Sequence, residues 1–359
     1  MPVKKRIVFL DIIRIFACLC VLIIHFNASV SGYDIAGNFI YPNELIPNYW
    51  FGGVYLGHIG VGLFFIISGA GLWYSHQDIG LNFRSIFSFY KKRAKSLYPL
   101  FWVAFIVSSL FHFLYYQVYP LKKWYYLLVS LAGMDGYAMI ILRKGYYFYQ
   151  VGEWFLGCII CLYLLYPFLS RALQKAPVLT SLFVGVLYVG CMGRVSEFWF
   201  FMQLPYVLFG MLFMRNLGTA LNWKVWAFCG VGLLIRILFS SRLTPLTVSI
   251  FTCWILFLCF VLICDILERK TNCFKNEWLL EQVAYFSFLT YPAFLVHHKL
   301  ITVLAGRYNL TSFPYRYTVV LFVIYILGVY VLSVGLVKLT NYLRAAFAQA
   351  RAGLLKNGN

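Results

Sequence analysis

Residues 7–26 read IVFLDIIRIFACLCVLIIHF and decide the fold class of this chain. These mainly apolar residues match the length of about 20 that an α-helix needs to cross a bilayer. The basic residues 4–6 in front of the run are also typical of a signal peptide. Asp11 and Arg14 interrupt the run, however, and no Ala-x-Ala cleavage site follows it. We therefore predict that it is retained as the first transmembrane helix.

The composition of the whole chain agrees with this first helix. Of the 359 residues, 62% are apolar and 11% are charged, against about 45–50% and about 25% in a soluble domain. A chain with so little polar surface cannot cover a soluble globule, so lipid must solvate much of it. This excludes a disordered chain, a disulfide-stapled secreted module and a water-soluble enzyme. We predict an all-α, polytopic membrane protein.

Later apolar runs bring the predicted number of transmembrane helices to about ten. They cover residues 53–76, 97–117, 154–170, 178–193, 197–214, 223–240, 245–265, 283–303 and 317–340. The stretch 124–142 is ambiguous, because Asp135 and two glycines interrupt it. We interpret it as a re-entrant or interfacial segment.

The distribution of Lys and Arg supports ten spans over eleven, because cytoplasmic loops carry an excess of these residues. With both termini cytoplasmic, the inner segments hold 18 of them and the outer loops hold 8. An eleventh span at 124–142 would remove this bias. We therefore predict a multi-pass protein of the plasma or inner membrane. Residues 1–343 form its transmembrane domain and residues 344–359 a short basic cytoplasmic tail.

The formal net charge of +19 arises from 30 basic and 11 acidic residues. In a soluble protein such a balance would suggest a nucleic-acid partner. Here the basic residues lie in short segments between apolar runs, and no basic stripe lies on a soluble domain. We predict the lipid bilayer as a partner and no nucleic acid.

Charged residues inside a membrane span are costly and usually functional. Arg14 and His25 are 11 positions apart, so they lie on one face of the first helix, roughly 16 Å apart along its axis. That spacing suits an elongated ligand between a cationic anchor and a titratable group. In the alternative interpretation, Asp11 and Arg14 neutralise each other and His25 is an interfacial histidine.

Five short motifs follow one another along the chain. They are Leu10-Asp11-x-x-Arg14-x10-His25, Phe64-Phe65-x-x-Ser68-Gly69, a basic run at 90–95 followed by Tyr98-Pro99, Glu153-Trp154-Phe155-Leu156 with Tyr166-Pro167, and Thr290-Tyr291-x-x-Phe294-Leu295-x-His297. In this order they resemble the membrane acyltransferase-3 family over about residues 5–340. The resemblance implies an enzyme that transfers acyl groups, most often acetyl from cytosolic acetyl-CoA, to hydroxyls of extracytoplasmic or lipid-linked glycans.

The resemblance also implies roles for individual residues. The family's Arg-x10-His pair maps onto Arg14 and His25, with the histidine as the catalytic residue. The basic run, interpreted as a cytoplasmic loop, departs from the family pattern because a second arginine after Arg93 is missing. The predicted substrate-binding residues are Arg14, Ser68, Lys92, Arg93, Lys95, Trp154 and His297, of which the four basic ones would receive the CoA phosphates.

Acyl transfer to a sugar hydroxyl needs a base that works near neutral pH, and histidine, with an unperturbed pKa of about 6.5, supplies one. Asp11 is about 21 Å from His25 by helical rise, so it cannot orient that histidine. We predict Glu153 as a second catalytic residue, the orienting carboxylate. The alternative interpretation makes Glu153 an interfacial glutamate beside Trp154.

The predicted function is therefore O-acylation of a surface or exported polysaccharide or its lipid-linked precursor. His25 would be the base and acetyl-CoA the donor, and no metal is expected. Two alternatives remain open from the sequence. One is a transporter or flippase of a lipid-linked glycan, and the other is an acyltransferase that acts on peptidoglycan or a small metabolite.

Overall fold

The computed structural model describes most of the chain. The described residues are 6–30, 32–33, 39–40, 45–50, 53–116, 126–142, 151–217, 227, 230–234, 238, 243–271, 273–307 and 314–357. Long apolar helices dominate these residues, which confirms the prediction of an all-α, multi-pass membrane protein.

The helices are named in chain order with these bounds. They are α1 Val8–Ser29, α2 Leu56–His76, α3 Phe83–Tyr116, α4 Tyr126–Leu131, α5 Asp135–Leu142, α6 Trp154–Lys175, α7 Pro177–Cys191, α8 Leu204–Arg215, α9 Pro245–Lys270, α10 Glu277–Arg307 and α11 Tyr315–Asn357. Two 3₁₀ turns occupy Phe200–Gln203 and Cys273–Lys275.

Two small antiparallel ladders lie between α1 and α2. Strand β1 (Gly32–Tyr33) pairs with β2 (Phe39–Ile40), with Gly32 opposite Ile40. Strand β3 (Tyr49–Trp50) pairs with β4 (Val54–Tyr55), which leads directly into α2. The second ladder therefore fixes where α2 begins.

Among the described residues, seven helices are long and apolar enough to cross a membrane, namely α1, α2, α3, α6, α9, α10 and α11. The runs Pro177–Cys191 and Phe200–Arg215 are shorter apolar helices, and the predicted span 223–240 lies mostly outside the described residues. The ten-helix count and the cytoplasmic termini therefore stay predictions. Helix α11 runs without a break past residue 343, and the division into a transmembrane domain and a tail also stays a prediction.

Two predictions from the sequence, about where helices begin and end, can be compared with the structure. Within 124–142 the described residues form α4 and α5, of 6 and 8 residues, and neither reaches the length of about 20 residues that a span needs. The interpretation of the basic run 90–95 as a loop is wrong, because α3 begins at Phe83 and contains the run. Pro99 lies inside this helix.

The core forms where α1 and α2 pack against α8, α9 and α10. Helix α2 lies closest to α8, because a Cβ atom at Gly69 would overlap the carbonyl of Val207 and one at Gly210 the carbonyl of Ile66. Small residues permit this close approach of two backbones within a membrane. The Ser68-Gly69 motif thus has a packing role on its glycine side.

Candidate active site

A cavity of about 660 Å³ lies between α1, α2, α3, α6 and α10. Arg14 and His25 both line it, as their shared helix face predicts. Because they are 11 residues apart on α1, they mark two levels of the cavity separated by roughly 16 Å. We call these levels the arginine end and the histidine end.

At the arginine end, Arg14 belongs to a partly buried polar network. Its Nη1 donates to Oδ1 of Asp11 at 3.1 Å and to Oγ of Ser287 at 3.0 Å. The Ser287 hydroxyl donates to the same Asp11 oxygen at 2.6 Å, and Arg6 pairs with the other oxygen. Arg14 therefore neutralises Asp11 and also lines the cavity, so the two interpretations of this residue are compatible.

Arg93 on α3 is the second cation that lines the cavity at this end. The Tyr163 hydroxyl lies near both Arg93 and Arg14, which places the two guanidinium groups around one side chain. Arg93 also lies over the ring of Phe89, 5.7 Å from its centroid. The arginine end thus concentrates two positive charges beside an apolar wall.

At the histidine end, Glu153 lies between two imidazoles. Its Oε2 is 3.5 Å from Nε2 of His25, and its Oε1 is 3.5 Å from Nε2 of His297. The Nδ1 of His298 is 3.7 Å from the same Oε1. The ring centroids of His25 and His297 are 4.8 Å apart. Three histidines from α1 and α10 therefore surround one carboxylate.

The position of Glu153 follows from local chain geometry. It is the residue before α6, and a Cβ atom at Gly136 of α5 would lie 2.7 Å from its carbonyl carbon. Since only glycine permits that contact, α5 holds the backbone of Glu153 against the cavity. Burial raises the pKa of Glu153, against a lowering by the nearby His298. The carboxyl group is therefore prone to carry a proton.

His297 has its tautomer fixed by a backbone contact. A carbonyl only accepts hydrogen bonds, so the 2.8 Å contact to Phe294 O makes Nδ1 of His297 the donor. In a neutral ring, Nε2 then carries a lone pair toward Glu153 Oε1. A protonated Glu153 can donate to that lone pair, which would orient the carboxyl group with its other oxygen toward His25.

The structure brings most of the predicted site residues to one cavity. The lining residues among them are Arg14, His25, Ser68, Arg93, Glu153 and Trp154. Lys92 and Lys95 are exposed on α3 and do not line it, and His297 is fully buried behind Glu153. The sequence interpretation missed Tyr163 and Ser287, because hydroxyls on apolar helices carry no spacing signal of their own, and it interpreted His298 as structural.

The histidine end also has the composition of a metal site. The ligand atoms of His25, Glu153 and His297 all lie within 4.8 Å of one another, and two imidazoles with a carboxylate are common metal ligands. The absence of a metal, as expected from the sequence, stays a prediction.

Comparison with known proteins defines the class of this membrane protein. The sequence model of the acyltransferase-3 family, described as an acyltransferase domain, matches residues 7–338. This is nearly the whole chain, and it includes both ends of the cavity. The chain belongs to the acyltransferase-3 family, as its motifs indicated, and the family supports an acyltransferase activity. Neither the curated proteins nor the solved structures give a match to it.

Proposed function

We propose that this chain is an O-acyltransferase of the plasma or inner membrane. It moves an acyl group, acetyl from acetyl-CoA, to a hydroxyl of a surface or exported polysaccharide or its lipid-linked precursor. One observation carries this proposal: a histidine–carboxylate pair, His25 and Glu153, shares a membrane cavity with Arg93 and with Arg14, which is about 16 Å from His25 along α1.

The arginine end suits the acyl donor. CoA carries phosphate groups, and guanidinium groups bind phosphate through charge-assisted hydrogen bonds. Arg14 and Arg93 would hold the phosphate groups of the donor, with its thioester arm along the cavity toward His25. Lys92 and Lys95, which are exposed one turn apart on α3, would attract the donor at the membrane surface.

The histidine end suits the transfer step. Nε2 of His25 faces Glu153, so the other ring nitrogen, Nδ1, takes the proton from the acceptor hydroxyl, and the resulting oxygen attacks the thioester carbonyl carbon. The new C–O bond forms as the C–S bond breaks, and the thiolate of CoA takes up the proton. Glu153, held by Gly136 and His297, orients the imidazole through Nε2. Ser68 lines the same cavity on α2 and would contact the donor.

The proposal predicts a reaction that membranes can be tested for directly. Membranes that contain the protein should consume acetyl-CoA and form an ester on a glycan, measured by thiol release and by mass spectrometry of the glycan. His25→Ala should reduce the rate by about 10²–10⁴-fold, the usual contribution of a general base. His112→Ala on α3, which does not line the cavity, is the matched control.

The principal alternative is a flippase of a lipid-linked glycan, since a cavity between transmembrane helices would also suit transport. A flippase would redistribute the glycan without forming an ester and without consuming acetyl-CoA. Redistribution without ester formation in the wild-type protein would overturn the proposal. Ester formation on peptidoglycan or on a small metabolite would keep the chemistry but change the acceptor.

A further inference from the structure

A second histidine–glutamate pair lies beside the first. Nε2 of His58 on α2 is 3.8 Å from Oε1 of Glu197, and His58 lines the same cavity as His25. Phe198, which follows Glu197, contacts Trp154, which follows Glu153, with ring centroids 4.7 Å apart. The two pairs therefore lie on either side of one aromatic contact.

Neighbouring side chains hold this second pair in place. The Ser249 hydroxyl donates to Pro245 O at 2.8 Å and lies 3.4 Å from Nδ1 of His58. Because the hydroxyl hydrogen is used in the shorter bond, Nδ1 of His58 is the donor in the longer one. The neutral ring then presents Nε2 as an acceptor. The backbone carbonyl of Glu197 accepts a hydrogen bond from Nε2 of Gln203. This bond holds the backbone of Glu197 in place and leaves its carboxylate able to contact a ligand.

The pair therefore presents two kinds of acceptor, an imidazole nitrogen and a carboxylate, toward the same space. A small cavity of about 20 Å³ lies between them, lined also by Trp154 and Phe198. This volume holds roughly one water-sized group. A ligand that fits must supply hydrogen-bond donors of that size next to a face that can stack on an aromatic ring.

The charge of this region distinguishes its ligand from the acyl donor. Among the residues that line the two cavities, the cations are Arg14 and Arg93, and both lie at the arginine end. Glu197 is 40% exposed in its side chain and would repel phosphate groups. A neutral polyhydroxyl compound meets all three conditions, because it has hydroxyl donors, an apolar ring face and no charge.

We propose that His58, Glu197, Trp154 and Phe198 form the glycan subsite of this protein. His58 and Glu197 bind hydroxyls of one sugar unit, and Trp154 and Phe198 support its ring, which places a neighbouring hydroxyl at His25. This deepens the proposed function and rests on it for the role of the bound sugar. The binding of the sugar does not depend on the transfer reaction.

The test measures binding of neutral trisaccharides, maltotriose and N-acetylchitotriose, by saturation-transfer NMR on the full chain. The protein should be in lipid nanodiscs, because glycosidic detergents would compete for the subsite. Glu197→Gln and Phe198→Leu should each raise the Kd of the trisaccharide that the wild type binds by about ten- to hundredfold. Asp265→Asn is the control, since Asp265 pairs with Arg269 and lines neither cavity.

Three outcomes would overturn the subsite: no binding of either trisaccharide to the wild type, an unchanged Kd in both variants, or an equal rise in the control. Acetyl-CoA binding, measured on the same samples, shows whether each variant is folded. Acetyl-CoA turnover separates the two proposals. If the wild type turns over acetyl-CoA but neither variant changes the trisaccharide Kd, the subsite proposal is rejected and the acyltransferase proposal stands. Trisaccharide binding that depends on Glu197 without any turnover would reject only the acyltransferase proposal.

Discussion

Oε1 of Glu153 faces Nε2 of His297 at 3.5 Å, and neither atom makes a hydrogen bond to another described residue. Two buried polar atoms in this position need a partner, because leaving each unsatisfied costs about 1–3 kcal/mol. A protonated Glu153 that moves closer and donates to Nε2 of His297 would supply it. We therefore expect His297 to be a positioning residue, which acts on His25 through Glu153.

The first prediction separates this positioning role from donor binding. Glu153→Gln keeps a donor for His297, but its amide cannot release or take up a proton while His25 does so. The turnover number should therefore fall about 10²-fold with little change in acetyl-CoA affinity. His297→Phe should lower turnover as well, and His297→Gln should recover part of it. Glu281→Gln, at an exposed position of α10, is the control. A loss of acetyl-CoA affinity equal to the loss of turnover would contradict the assignment.

The second prediction concerns the contact between α2 and α8. Gly210→Ala places a methyl group against the carbonyl of Ile66, so the helices must separate and the thermal midpoint should fall by several degrees. Gly335→Ala on α11 meets no atom within 4 Å and should leave it unchanged. Thermal unfolding followed by a thiol-reactive dye measures both. Equal midpoints in the two variants would show that this contact does not limit stability.

The sequence predicted the residues that share one face of a helix, and apart from Glu153 beside His25 it missed the contacts between helices. Arg14 and His25 share a face because helical geometry is local, and both line the cavity. Glu197 and His58 come from distant segments, and neither has a periodic signal. The start of α3 was also missed, because helices continue beyond the membrane through polar residues such as Lys92, where hydropathy no longer marks them.

The third prediction uses Asp135, which begins α5 and accepts a hydrogen bond from Ser130. Burial raises the pKa of Asp135 to about 6, although the Ser130 bond lowers it. The folded state therefore holds the proton more tightly than the unfolded state, whose pKa is about 3.9. The contribution of Asp135 to the free energy of unfolding is therefore largest below about pH 4. It declines as the pH rises toward 6 and is constant above that.

Asp135→Asn removes this titration. The thermal midpoint of the variant, relative to the wild type, should rise between about pH 4 and pH 6 and stay constant above. Asp265→Asn, at an exposed ion pair, should show no such rise. A midpoint difference that does not change with pH would contradict the shifted pKa.

The fourth prediction tests the topology on two exposed residues, Asn82 between α2 and α3 and Arg194 after α7. With ten spans, cysteines at these positions on a cysteine-free background should label from opposite sides, Asn82 from the cytoplasm. An additional span at 124–142 would place Arg194 on the same side as Asn82. Labelling with an impermeant maleimide, before and after permeabilisation, decides between them. Same-side labelling would reject the ten-span arrangement.

The last prediction concerns the two roles of Arg14. Asp11→Asn should be more destabilising than Arg14→Gln. The first change leaves both Arg6 and Arg14 without their shared carboxylate. After the second change, Arg6 still pairs with Asp11. The Arg14 and Arg6 side chains are 34% and 52% exposed, so the cost should lie below the about 3–5 kcal/mol of a fully buried pair. The double variant Asp11→Asn/Arg14→Gln should therefore unfold at a higher temperature than Asp11→Asn alone.

Donor binding should follow a different order from stability. If Arg14 contacts the donor, the Kd for acetyl-CoA should rise by about tenfold in both Arg14→Gln and the double variant, since either loses one charge-assisted hydrogen bond. Asp11→Asn should bind acetyl-CoA nearly as the wild type does wherever it folds. Wild-type affinity in the double variant would show that Arg14 serves only to neutralise Asp11. The cationic anchor of the donor would then be Arg93, which lines the same end of the cavity.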